Sequence, residues 1–139
     1  MRHALTALLL FASTAAMAAG SSAGYEYGGP AARFDPVVAQ YNRSGELFRI
    51  DGHCQSACTL FLRIRNVCIG PGANFLFHAA HDQRRVYHAG FTQHFIDAYN
   101  AKLRAHLIAN HALEKVDPFY SISGSDMIRK FGYRACPKS

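Results

Sequence analysis

Apolar segments with strand-like and helix-like spacing alternate along this chain, and that alternation restricts the fold more than any other feature. Residues 46–51 and 66–80 contain short strand patterns, the second interrupted by a Gly-Pro-Gly turn. Residues 34–44, 56–63 and 91–110 carry apolar side chains at helical intervals. Strands that alternate with helices predict right-handed βαβ units and a largely parallel sheet. We therefore expect an α/β fold.

The longest helical pattern covers residues 91–110. Its apolar side chains form one stripe, mostly at three- and four-residue steps: Phe91, Phe95, Ile96, Tyr99, Leu103, Leu107 and Ile108. Thr92 is predicted to cap this helix, and Ser125 to cap a last short helix over residues 126–130.

Residues 1–18 have the features of a signal peptide. Arg2 and His3 make a basic start, residues 4–12 are apolar, and "AMA" is a small-x-small cleavage sequence. The apolar run is shorter than the ~20 residues that a spanning helix needs. We therefore expect a periplasmic or secreted protein without membrane insertion after signal cleavage.

Length and charge predict one domain without a nucleic-acid partner. We expect a flexible linker at residues 19–24 and a single domain over residues 25–139, since half of the 139 residues are hydrophobic. The formal net charge is +6, but the basic residues are scattered rather than clustered. Such a surface suits a location near anionic polymers or lipids of the cell envelope.

The chain has four cysteines, an even number: Cys54, Cys58, Cys68 and Cys136. In an exported protein they predict two disulfides. Composition alone leaves the connectivity open.

Ser56 lies in the stretch "DGHCQSACTLFL", between a glycine turn and an apolar helix pattern. A serine there can direct its hydroxyl to the positive end of the helix, with the amide of Ala57 beside a reacting carbonyl. The structural alternative is a helix cap, a position that serine also favours. The G-x-S-x-G sequence is absent, so an ordinary α/β-hydrolase is not expected.

His78 follows the apolar run "NFLF", at the predicted carboxyl end of a strand. Ligands bind at that edge of open parallel sheets. A histidine at this point could be the general base for a serine on a neighbouring strand-to-helix turn. The structural alternative is a partly buried histidine that hydrogen-bonds a backbone carbonyl.

Two groups of histidines could supply metal ligands: His78 with His81 and Asp82, and His106 with His111. Neither has the spacing of a zinc site or supplies three good ligands. We expect no metal and no cofactor.

The ordered set of Gly28-Gly29, a helix, "GHCQSAC" and "FHAA" resembles the Clp-protease/crotonase superfamily. It resembles more closely the small exported Clp-protease-like proteins of bacteria. The resemblance covers residues 25–136 and depends on the order of the pieces, since no single piece is specific. It implies a small Clp/crotonase-like domain of βαβ units with a mainly parallel sheet.

The resemblance also implies roles for individual residues. Ser56 would be the nucleophile, and His78 the base. Oxyanion donors would come from the Gly28-Gly29 turn and from Ala57. The handle and ring contacts of the protease subunit have no recognisable counterpart here, so the oligomeric state stays open.

A third, acidic residue is expected after the long helix. Asp117 in "VDPFYSIS" is the nearest match, and Asp126 is the second choice. Neither lies in a characteristic motif.

The same resemblance suggests how the cysteines pair. Cys54 and Cys58 flank the candidate serine, where a bond between them would hold the turn. Cys68 begins a strand, and Cys136 follows "FGY", which resembles the closing strand of the family. A Cys68–Cys136 bond would join the C-terminus to the sheet. The other two connectivities stay open.

Two functions from different classes are consistent with these features. The first is an exported serine hydrolase, a peptidase or an esterase. The second is a non-catalytic protein that binds a peptide or small acyl ligand in the same cleft. An acid that orients His78 would favour the first function.

Overall fold

Two three-stranded sheets form the centre of the protein within residues 19–138, which are the residues that this computed structural model describes. The first sheet has three parallel strands in the order β1, β2, β4, with β1 at Gly20–Ser21, β2 at Phe48–Ile50 and β4 at Val67–Ile69. The second sheet consists of β3 at His53–Gln55, β5 at Asn74–Phe77 and β6 at Tyr120–Ser123. β3 is parallel to β5, and β6 is antiparallel to it.

Helices connect and cover these strands. In the described part of the chain, the α-helices are α1 (Asp35–Ser44), α2 (Ala89–Ala98), α3 (Ala101–Ala109) and α4 (Gly124–Phe131). Two 3-10 helices are also present, Ala31–Arg33 and Ser56–Arg63. The second of them is called the Ser56 helix.

The predicted mixed α/β class is confirmed, but the strands divide between two sheets and one strand is antiparallel. The division arises because the chain turns sharply between consecutive strands. Gly52 lies between β2 and β3 with a φ of 66°, in the left-handed region that glycine adopts without strain. A second turn, at residues 70–73, separates β4 from β5.

Three of the strands were not recognised in the sequence: β1, β3 and β6. β1 lies inside residues 19–24, which were expected to be a flexible linker. Gly20 N–H donates to the Leu47 carbonyl at 3.0 Å, and Ser22 N–H donates to the Arg49 carbonyl at 2.9 Å. β1, β3 and β6 have two, three and four residues, and they form by pairing with the neighbouring strands β2 and β5.

Phenylalanine side chains fill much of the core, and five of them are at most 1% exposed: Phe34, Phe48, Phe61, Phe75 and Phe77. Phe61, on the Ser56 helix, packs against Phe48 and Phe34 with ring centroids 4.6 and 5.3 Å away. Residues 57–62 of this helix are all buried. Each large apolar side chain so buried stabilises the fold by roughly 1.5–3 kcal/mol, which anchors the helix firmly.

The single helix predicted over residues 91–110 is two helices, α2 and α3. Tyr99 interrupts it with an extended backbone, at φ −96° and ψ 146°. Asn100 then caps α3 and donates its side-chain amide to the Phe131 carbonyl at 2.8 Å. Its backbone N–H donates to the Tyr133 hydroxyl at 3.2 Å. These contacts with the C-terminal segment offset the helical hydrogen bonds that the break removes.

The helix caps also differ from the predicted ones. His88, not Thr92, caps α2, because its Nδ1 accepts a first-turn N–H at 3.2 Å. The Thr92 hydroxyl is buried; it donates to the His88 carbonyl and accepts from Ala80 N–H, each at 3.0 Å. Ser123, not Ser125, caps α4.

Two disulfides are present, and their pairing is the predicted one. Cys54–Cys58 spans Ser56, and Cys68–Cys136 joins β4 to the C-terminal segment. Disulfides of this kind are typical of proteins from oxidising compartments. The predicted signal peptide, residues 1–18, lies outside the described residues. Among residues 19–138, no helix has the length and apolar character needed to cross a bilayer.

Candidate active site

Ser56 lies at the turn from β3 into the Ser56 helix. Gln55 is extended, with ψ 145°, whereas Ser56 has a φ of 55°, in the left-handed region that non-glycine residues rarely adopt. The cap position belongs to Gln55, and no side chain makes a capping hydrogen bond there. Ser56 is half-buried, and its hydroxyl bonds to no residue that the structure describes. The structure therefore does not support the helix-cap interpretation of Ser56.

Buried hydroxyls hold the backbone of Ser56. Thr59 Oγ1 donates to the Ser56 carbonyl at 2.7 Å and lies 2.7 Å from the Tyr99 hydroxyl. Because the Thr59 proton is directed to the carbonyl, Tyr99 is the donor in the second bond. Burial raises the pKa of Tyr99 well above its usual range, which keeps the phenol protonated. The Cys54–Cys58 disulfide constrains the chain on both sides of the serine.

Gly28 lies directly against Ser56. A Cβ on Gly28 would stand 2.8 Å from the Ser56 Cβ, 2.9 Å from the Gln55 carbonyl oxygen and 3.1 Å from the Ala57 nitrogen. Gly28 also has a φ of 76°. Gln55 N–H donates to the Glu26 carbonyl at 2.8 Å, so the segment before Gly28 runs along β3. Only glycine satisfies both the conformation and the close approach.

Backbone amides near Ser56 are available as donors. Gly29 N–H has no acceptor among residues 19–138. Ala57 lies in the first turn of the Ser56 helix, where amides have no acceptor within the helix. The Gly28 amide differs, because it donates to the Tyr25 carbonyl at 3.1 Å. Gly29 and Ala57 are thus the available donors of the predicted oxyanion set, and Gly28 supplies the close approach.

His78 and Ser56 lie at the same edge of the second sheet. In the parallel pairing of β3 with β5, Gln55 is opposite Leu76. Ser56 is therefore one residue beyond this pair and His78 two residues beyond it, on strands ~4.8 Å apart. No hydrogen bond joins the two side chains within the described residues. In enzymes without bound substrate such bonds are often long and shorten in the complex.

The protonation state of His78 suits a base. The residue is 5% exposed, and its Nδ1 lies 2.7 Å from the Ala79 carbonyl oxygen. Because a carbonyl only accepts, Nδ1 carries the proton and Nε2 has a free lone pair. Burial is the main cause that lowers the pKa of His78, so the ring is neutral near neutral pH. His78 can therefore hydrogen-bond a backbone carbonyl through Nδ1 and still act as a base through Nε2.

Asp117, the first-choice acid, lies near His78 without hydrogen-bonding it. The Asp117 carboxylate accepts a hydrogen bond from the Arg85 guanidinium. The charge of Asp117 nevertheless raises the pKa of His78, and that of Arg85 lowers it, although burial outweighs both. The segment that carries Asp117 lies beside the imidazole, because Ala79 N–H donates to the Lys115 carbonyl at 2.8 Å and the Phe119 ring packs on His78.

Asp126, the second-choice acid, lies at the other edge of the second sheet. It follows β6, whose last residue pairs with Asn74 at the start of β5, whereas His78 follows the end of β5. The Asp126 carboxylate is bound by Arg129 and Lys130 at 2.9 and 3.0 Å. This position does not allow Asp126 to orient His78.

Three residues around the site were not identified in the sequence: Thr59, Arg85 and Phe119. Thr59 had a local signal, because a hydroxyl three residues after Ser56 can reach its carbonyl across one helical turn. Arg85 and Phe119 had none. Arg85 lies 32 residues from Asp117 in sequence, and the Phe119 ring packs on His78 with centroids 4.7 Å apart.

The histidines that were candidate metal ligands make other contacts. His81 packs beside His78, with ring centroids 5.8 Å apart, and its Nδ1 donates to a backbone carbonyl at 2.7 Å. His106 hydrogen-bonds the Tyr120 hydroxyl at 2.9 Å. Over the described residues, no group of three or more histidine, cysteine, aspartate or glutamate side chains could hold a metal ion.

No family model, curated protein or solved structure matches this chain. A half-buried hydroxyl, an unprotonated imidazole nitrogen and two available amides lie at one sheet edge. Such a set is suited to nucleophilic attack on a carbonyl group.

Proposed function

We propose that this protein is an exported serine hydrolase, a peptidase or an esterase, with Ser56 as nucleophile and His78 as general base. The main support for the proposal is the placement of the two side chains. Ser56, with a left-handed backbone, directly follows β3, and the buried His78, whose Nε2 is free, directly follows the neighbouring strand β5. A serine hydroxyl is a weak nucleophile near neutral pH and needs such a base. The two disulfides support export to the periplasm or the medium.

In the proposed reaction, His78 Nε2 takes the hydroxyl proton while Ser56 Oγ attacks the carbonyl carbon of an ester or peptide bond. The Gly29 and Ala57 amides donate to the resulting oxyanion. His78 then gives the proton to the leaving alcohol or amine. Water, deprotonated by His78, attacks the acyl ester on Ser56 and releases the acid. These steps use no metal or cofactor.

We also propose that the fold belongs to the Clp-protease/crotonase type. The order of Gly28-Gly29, Ser56 and His78 supports this, as does a mixed α/β architecture with two small sheets. The proposed substrate is a peptide or a small acyl compound. Without an energy-driven unfolding partner, cleavage would be limited to short or loosely structured chains.

Covalent labelling by a fluorophosphonate tests the proposal on the oxidised, folded protein. We expect stoichiometric labelling of wild type, none in Ser56→Ala, and a loss of at least ~10²-fold in rate in His78→Ala, the lower bound for a general base. Ser123→Ala is the matched control, because Ser123 is also at a strand-to-helix junction but only caps α4. It should label at the wild-type rate. Absence of labelling in the wild-type protein would overturn the hydrolase proposal.

A second candidate function is binding of a peptide or small acyl ligand without catalysis. The observation that favours it is that a backbone carbonyl, not a carboxylate, holds His78 Nδ1. Binding of a peptide library to wild type and to Ser56→Ala separates the two functions. Equal affinities, together with no labelling by the fluorophosphonate, would favour the binding protein.

A further inference from the structure

An exposed ion pair lies beside the proposed base. Arg85 is in the loop that follows His81, and Asp117 is just before β6. Their side chains are 59% and 62% exposed, respectively. Exposed pairs of this kind are held weakly and exchange readily with other partners. The Asp117 carboxylate can therefore leave Arg85 by rotation of its own side chain.

The titratable and charged groups that act on the His78 ring include Asp117, Arg85 and His81. The remaining aromatic neighbour, Phe119, is apolar. In the structure, the Nδ1 proton of His78 is donated to the Ala79 carbonyl. In a serine–histidine–acid arrangement this proton is donated to the acid, which orients the ring and stabilises the imidazolium. Asp117 is the carboxylate in the segment that lies against His78, between Lys115, whose carbonyl accepts the Ala79 N–H at 2.8 Å, and Phe119, whose ring packs on the imidazole.

We propose that Arg85 is a positioning residue that withholds Asp117 from His78, so that the acid orients the imidazole only when the Arg85–Asp117 pair opens. This inference rests on the proposed hydrolase function of Ser56 and His78. Arg85 itself touches no reacting atom. It sets the fraction of molecules in which Asp117 is available to the base.

A double-mutant cycle read by NMR titration of the His78 ring tests this inference without requiring activity. The four proteins are wild type, Arg85→Ala, Asp117→Asn and the double variant. If Arg85 withholds Asp117, the Asp117→Asn change lowers the pKa of His78 more in the Arg85→Ala background than in wild type. If both charges stay where they are, Asp117→Asn changes the pKa of His78 by the same amount in both backgrounds. Equal steps would overturn the inference.

Arg84→Ala is the matched control for charge, because Arg84 is the adjacent arginine and does not pair with Asp117. It should leave the size of the Asp117→Asn step unchanged; an enlarged step in that background would also overturn the inference. Fluorophosphonate labelling gives a second readout. Arg85→Ala should label up to about fivefold faster than wild type, which corresponds to the largest free energy expected for an exposed ion pair. The double variant Arg85→Ala/Asp117→Asn should lose this increase in rate.

The failures of the two proposals are distinguishable. If no variant labels, the hydrolase proposal fails, whereas the NMR cycle still decides whether Arg85 controls access of Asp117 to His78. If wild type labels but Asp117→Asn changes the pKa of His78 equally with and without Arg85, the roles proposed for Ser56 and His78 stand. The positioning role proposed for Arg85 is then wrong.

Discussion

Gly28 and Ser56 lie in backbone contact, so closely that a Cβ on Gly28 would stand 2.8 Å from the Ser56 Cβ. The glycine therefore allows two chain segments that are distant in sequence to meet at the candidate nucleophile. This contact provides a direct test of whether the turn geometry matters for reactivity.

Gly28→Ala should displace the serine turn. The new methyl group would meet backbone atoms of Gln55 and Ala57 that cannot yield easily. We expect fluorophosphonate labelling to fall at least tenfold and the free energy of unfolding to drop by ~1–3 kcal/mol. Gly45→Ala is the control, because Gly45 has a similar φ of 72° but no atom within 4 Å of the new methyl. It should cost ~1 kcal/mol and leave labelling unchanged.

Burial of His78 should make stability pH-dependent. Its folded pKa is lowered by burial from the ordinary 6.5. Above pH 6.5 the ring is neutral in both states, and its contribution to stability is intact. As the pH falls below that value the unfolded chain binds the proton first, so the free energy of unfolding decreases until the folded pKa is reached.

Urea denaturation on either side of pH 6.5 measures this effect. His78→Gln should lose less stability on acidification than wild type. Identical pH profiles for wild type and His78→Gln would contradict the prediction.

The Cys68–Cys136 disulfide should contribute mainly to stability. It joins residues 68 positions apart, and in the chain-entropy model a loop of that length stabilises the fold by ~4 kcal/mol. The Cys68→Ala/Cys136→Ala variant should therefore show a loss of this order in denaturant unfolding. The fraction that remains folded should label at the wild-type rate, because the bond is on β4 and not on the serine turn.

The Cys54–Cys58 disulfide should contribute mainly to reactivity. Its residues are only 4 positions apart, which corresponds to ~2 kcal/mol in the same model. Because the bond spans Ser56, Cys54→Ala/Cys58→Ala should lose labelling by more than tenfold while still folding. Wild-type labelling in that variant would show that the disulfide does not position the serine.

Thr59→Val should disturb Ser56 through its carbonyl. The variant loses the 2.7 Å bond to that carbonyl and leaves the buried Tyr99 hydroxyl without its acceptor. We expect a loss of ~1–3 kcal/mol and slower labelling. The double variant Thr59→Val/Tyr99→Phe should cost less than the sum of the single changes, since it removes both buried polar partners. Additive losses would indicate that the two hydroxyls act independently.

The sequence alone determined the features that depend on neighbouring residues. The patterns over residues 46–51 and 66–80 identified β2, β4 and β5, and the pattern over residues 34–44 identified α1. The Gly-turn and helix around Ser56 also followed from local sequence. The cysteine count predicted two disulfides, and the resemblance supplied their pairing. Such features are readable because backbone preference and apolar spacing act over a few residues.

Tertiary structure alone decided the features that depend on distant contacts. The apolar stripe over residues 91–110 continues through Tyr99 without interruption, yet Asn100 breaks the helix by bonding residues about thirty positions away. β6 forms because β5 supplies its partners. The free nitrogen of His78 and the capture of Asp117 by Arg85 likewise depend on hydrogen bonds that form only when the chain is folded. The sequence could name the candidate serine and histidine, but their hydrogen-bond partners were decided by packing, because each bond needs both groups brought together in space.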